Sequence, residues 1–167
     1  MERCAALADP ARKAKILAEE TGRGFARLYD LMDEGRKIWL MSDPPNYEPD
    51  PKDSLYAQAM QRGLDPWSYI YDVLLQNNGT NLLYTPFANY AEDNLDCCRD
   101  MILHKDTVMG LGDGGAHVGT ICDASFITTL ITHWGRDRTR GEGIDLPTLI
   151  KCQTQDTARA VELYDRG

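Results

Sequence analysis

The feature that most constrains this chain is the stretch Thr107-Val108-Met109-Gly110-Leu111-Gly112-Asp113-Gly114-Gly115-Ala116-His117, in which four glycines fall within six positions around one carboxylate. An apolar run that empties into a glycine-rich loop carrying an acid is how an α/β fold presents a reactive group at the carboxyl edge of its sheet. Glycines allow positive φ and close approach of another backbone, so the loop can bend sharply beside a pocket. The same residues also suit a tight turn with a solvated Asp113, and on the stretch alone both readings stand.

The rest of the chain supplies the context of that loop. Asp9-Pro10 reads as a helix start, with Asp as cap and Pro in the first turn, running to about Glu20. Lys37 to Met41 reads as a short strand, followed by a rigid loop over 42–51 with four prolines. A helix is expected over Ser54–Arg62, stopping at Gly63. Another is expected from Asp65-Pro66, with Trp67, Ile70, Tyr71, Leu74 and Leu75 as a buried stripe, ending at Asn77-Asn78-Gly79. Leu82 to Tyr84 reads as a strand, and Asn94 to Leu103 as a helix with Leu95, Cys98 and Ile102 inward. A strand follows at Thr107–Leu111. Beyond the loop, Asp123 caps a helix over Phe126, Ile127, Leu130, Ile131 and Trp134. Two short helices close the chain, Pro147–Cys152 and Gln155–Leu163.

This order predicts an α/β fold with parallel strands and crossover helices. Strands 37–41, 82–84 and 107–111 are too few to close a barrel, and an open sheet of that size leaves long edges. The chain therefore reads as one segment, 1–167, of a larger α/β structure.

A net charge of −8 argues against nucleic acid and anionic membranes as partners. No apolar run approaches the roughly 18 residues of a membrane span. The first residues, with Glu2, Arg3, Asp9 and Arg12, do not resemble a secretory leader, so a cytoplasmic location is expected. Five cysteines, Cys4, Cys97, Cys98, Cys122 and Cys152, form no CxxC, which suits reduced thiols better than a disulfide framework or a structural zinc site. The histidines His104, His117 and His133 form neither HxH nor HExxH.

Gly110, Gly112 and Gly115 formally match GxGxxG, but Asp113 inside that turn would face the pyrophosphate, and no helix starts at the last glycine. Dinucleotide binding is therefore rejected. Asp113 and His117 fit an acid and base, or a metal ligand and its neighbour, while His117 also fits an ordinary loop histidine. His133 suits packing or the charge of a helix end better than catalysis. Arg136, Arg138 and Arg140 suit a solvated helix end better than a grip on a substrate anion.

The run from Gly110 through Asp113 and His117 to Phe126, with Thr132-His133-Trp134-Gly135-Arg136-Asp137-Arg138 beyond it, resembles the amidohydrolase superfamily. The branch is that of the D-aminoacylases, the N-acyl-D-amino-acid deacylases. Asn46-Tyr47-Glu48-Pro49, Leu82-Leu83-Tyr84, Asn94-Leu95-Asp96 and Thr107-Val108-Met109 fit the same segment, so the resemblance covers nearly the whole chain. It implies a (β/α)8 barrel with a catalytic metal, usually zinc, at its carboxyl-terminal face. It implies that Asp113 lies at the metal, takes a proton from the metal-activated water and passes it to the leaving amine. The implied substrate is a small N-acyl amino acid. His117 is at most a neighbour that orients the acid.

The family pattern also has a first-strand HxH and further ligands on middle strands, none of which occurs here, and a small β domain after the segment matching 147–163. The resemblance thus implies a carboxyl-side barrel fragment: about the last two βα units plus a helical insertion, without the amino-terminal strands or the β domain. Such a chain alone would be inactive, holding at most Asp113 of a zinc site. It would be either a truncated fragment or one half of a split enzyme that needs an amino-terminal partner, and Met1 an internal methionine or a misplaced start.

Overall fold

A computed structural model describes residues 2–19, 35–86, 88–112, 114–115 and 124–167. It divides into two compact units, Met1–Asp93 and Asn94–Gly167.

The first unit comprises α1 (Glu2–Leu7), α2 (Pro10–Leu17), β1 (Trp39–Leu40), α3 (Leu55–Gln61), α4 (Pro66–Gly79) and β2 (Leu83–Tyr84). Its helix starts are written in the sequence. Asp9 accepts from the Arg12 backbone N–H at 2.9 Å, Ser54 from Ala57 at 3.1 Å and Asp65 from Ser68 at 2.8 Å. Each cap satisfies one amide left without an intrahelical partner, and the prolines after Asp9 and Asp65 cost no donor there. The regular part of α4 stops before Gln76. Asn77 and Asn78 take φ of 51° and 60°, a conformation that asparagine tolerates better than most residues.

Ile38, Leu55, Ile70 and Val73 form the core of this unit, with Trp67, Tyr69 and Leu83 packed against it. Burying such side chains is worth about 1.5–3 kcal/mol each. The expected stripe on α4 holds at Trp67 and Ile70, but Val73 is buried where Leu74 was expected, and Leu74 is 37 % exposed. Tyr71 lies at the edge of the stripe and donates its hydroxyl to the Leu7 carbonyl at 2.7 Å.

β1 and β2 pair antiparallel, Trp39 opposite Tyr84 and Leu40 opposite Leu83. Parallel strands were expected. Two helices separate these strands where a parallel crossover unit has one, so the chain reverses direction once more before it returns. The four-proline loop beside this pair is held by three aromatic donors. Trp39 Nε1 donates to the Asp50 carbonyl at 2.9 Å, Tyr84 Oη to Tyr47 at 3.0 Å and Tyr90 Oη to Pro49 at 2.7 Å. Trp39 and Tyr90 meet edge to face, with centroids 6.1 Å apart.

The second unit comprises α5 (Asp96–Leu103), α6 (Phe126–Thr129), a π-helical stretch Leu130–Asp137, α7 (Leu146–Gln153) and α8 (Gln155–Ala160). Its core is Leu130, Trp134, Ile144 and Leu149, backed by Leu95, Cys98, Ile102 and Met109. The three inward residues predicted on α5 all pack against this core. Asp145 caps α7, accepting from the Thr148 N–H at 3.0 Å. The expected strand over 107–111 enters no ladder among the described residues. Asp123, expected to cap the helix beyond the loop, lies outside the described residues; α6 begins after Ser125, which makes no side-chain capping bond. Among the described residues no helix is long and apolar enough to cross a membrane.

Candidate functional site

The glycine loop is anchored at its amino-terminal leg. The Thr107 hydroxyl lies 2.6 Å from the Met101 carbonyl and 2.8 Å from that of His104, closing the end of α5. Met109 then turns into the core, while Val108 and Leu111 stay on the surface, Leu111 with 99 % of its area exposed. At the far side, a Cβ added to Gly114 would fall on the Ala124 side chain. Only glycine lets the backbone come this close, so Gly114 joins the loop to the segment that leads into α6. Asp113, the predicted acid, and His117, its predicted neighbour, lie outside the described residues.

Arg136, at the end of the π-helical stretch, and Arg138, just beyond it, turn to different partners. Arg136 is exposed and pairs with its neighbour Asp137, Nη2 to Oδ2 at 2.8 Å. That hydrogen bond holds the Asp137 carboxyl below its ordinary value, with the charge of Arg136 adding to it. Arg138 lies over the Trp134 ring, its Cζ 4.9 Å from the centroid. Its donors go to Asp96 Oδ1 at 2.6 Å, the Glu142 carbonyl at 2.6 Å and the Arg140 carbonyl at 3.3 Å. Sequence reasoning missed this inward turn of Arg138; the aromatic four residues before it was the one available signal. His133 packs edge to face on Trp134, ring centroids 5.0 Å apart, in keeping with a packing role.

Among the described residues, no group of three or more His, Cys, Asp or Glu side chains comes together that could hold a metal ion. The described residues thus do not by themselves fit the zinc that the resemblance implies. Among the described residues, Cys4 and Cys152 form no disulfide.

Compared with protein-family models, curated proteins and solved structures, the chain matches none.

Proposed function

We propose that this chain is a carboxyl-side segment of a (β/α)8 hydrolase that cleaves linear C–N amide bonds, with a small N-acyl-D-amino acid as substrate. The observation that carries the proposal is the run from Gly110 to Phe126, whose glycines surround Asp113 and resemble the strand-end loop of the D-aminoacylase branch. The loop's anchoring supports it, since Thr107 and Met109 hold one leg and Gly114 abuts Ala124 at the other. A reactive carboxylate needs a frame of this kind to stay within reach of its substrate.

In this reading Asp113 is the proton carrier. Its carboxylate accepts a proton as water adds to the amide carbonyl, and returns it to the amine as the C–N bond breaks. His117 orients the acid and holds no metal. When bound, zinc would supply acidification of the attacking water. The enzyme works in the cytoplasm, without nucleic acid or membrane as partner; five cysteines with no CxxC and a net charge of −8 support that setting.

Catalytic zinc takes about three protein ligands, and the sequence offers one candidate carboxylate and no HxH pair. The second reading is therefore a chain inactive alone, either a truncated fragment or half of a split enzyme completed by an amino-terminal partner. Zinc titration of the purified chain tests it, combined with an assay for release of free D-amino acid. The expected result is no one-to-one binding below micromolar zinc and no turnover. Submicromolar binding with turnover would show a self-sufficient enzyme.

A further inference from the structure

The first unit contains a cleft of about 280 Å³ whose lining includes Arg36, Lys37, Trp39, Ser54, Tyr56 and Asp93. Sites for small molecules begin near about 300 Å³, so the space suits a ligand at the small end of that range. Two consecutive cations meet here in a chain of net charge −8. The Lys37 side chain is 21 % exposed and its ammonium donates to the Tyr90 carbonyl at 2.8 Å. Asp93 Oδ1 stands 3.8 Å away, an ionic contact too long for a hydrogen bond. An ammonium has three donors, so Lys37 keeps donor capacity for a ligand. Arg36 lies over the Tyr56 ring, its Cζ 5.3 Å from the centroid. That cation–π contact holds the guanidinium at the cleft, and its planar fork of donors suits a carboxylate.

We propose that this cleft binds a small monocarboxylate with a short apolar or aromatic tail. The carboxylate would lie against Arg36 and Lys37, and the tail along the half-buried Tyr56 and Ala57, with the buried Trp39 behind them. The charge count selects a monoanion: two cations and the Asp93 carboxylate leave a net +1, and Asp93 would repel the second charge of a phosphate. The inference is independent of the hydrolase reading, since none of these residues belongs to the glycine loop.

The test is calorimetric titration of the 167-residue chain with benzoate, with the neutral isostere benzamide and with inorganic phosphate, alongside NMR observation of the Trp39 indole N–H. The expected result is one-to-one benzoate binding at roughly millimolar Kd, with a shift of the Trp39 signal, and benzamide and phosphate each at least about tenfold weaker. Arg36→Gln and Lys37→Met should each weaken benzoate about tenfold, and Asp93→Asn should tighten it. Equal binding of benzoate and benzamide, tighter binding of phosphate, or no benzoate binding would overturn the proposal without recourse to any variant.

Discussion

Arg138 reaches the carboxylate of Asp96 at 2.6 Å from a side chain with no exposed surface, across 42 positions of sequence. The pair ties the start of α5 to the turn that follows the π-helical stretch. Gly141 makes room for it: at φ +134°, a Cβ there would meet the Arg138 guanidinium at 2.6 Å. Arg99 adds a second tie to the same turn, 2.8 Å from Glu142 Oε2. That outer pair is exposed on the Glu142 side and contributes little.

Arg138→Ala should destabilise the second unit by about 2–4 kcal/mol. It removes a buried stack on Trp134 and leaves the Glu142 and Arg140 carbonyls without their donor. Arg138→Lys should recover under half of that, because an ammonium cannot reproduce the planar fork. Urea unfolding of the three proteins measures both; equal stability of wild type and Arg138→Ala would refute the structural role.

Gly114→Ala should strain the loop through the Ala124 side chain. The cost should be about 1–3 kcal/mol, typical of overpacking. Ala124→Gly removes the nearest atom and leaves the backbone Cα at 3.1 Å, so the double variant should be less strained than Gly114→Ala alone. A thermodynamic cycle over the four proteins gives the coupling. Strict additivity would show that positions 114 and 124 do not touch.

Local chemistry made much of the fold legible. Asp9, Ser54 and Asp65 announce their helices because a cap is a bond within one turn, and Leu95, Cys98 and Ile102 announce a buried face because their spacing is helical. The direction of β1 against β2 was not legible, since pairing depends on how α3 and α4 return the chain, which no local pattern records. The exchange of Val73 for Leu74 beside a retained Ile70 is a small turn of the buried face of α4, which periodicity alone does not resolve. The inward turn of Arg138 depends on Asp96, far away in sequence. At the candidate site, the sequence marked the glycine loop, but only the structure picked out Gly114 as the glycine pressed against Ala124.

Acid should weaken the cap of α7. The Thr148 side chain and backbone hydrogen-bond the Asp145 carboxyl and hold it below its ordinary value. A lowered value in the folded state means that the unfolded chain binds more protons in that window, so stability rises with pH there. The contribution is present above the unfolded value of about 4 and is lost as pH falls through the lower folded value. Asp145→Asn keeps a capping oxygen without the charge. The difference in urea midpoint between wild type and Asp145→Asn should be constant from about pH 5 to 7 and shrink below about pH 4. A difference that stays constant to low pH would mean the charge plays no part.

The proton-carrying role proposed for Asp113 is tested most directly by turnover in a complete barrel. The chain would be joined to an amino-terminal barrel half bearing an HxH strand, supplied with zinc, and assayed for release of D-leucine from N-acetyl-D-leucine. Turnover is predicted with Asp113, and a loss of about 10²- to 10⁴-fold with Asp113→Asn at unchanged helical content. Equal turnover by the two proteins would contradict the account.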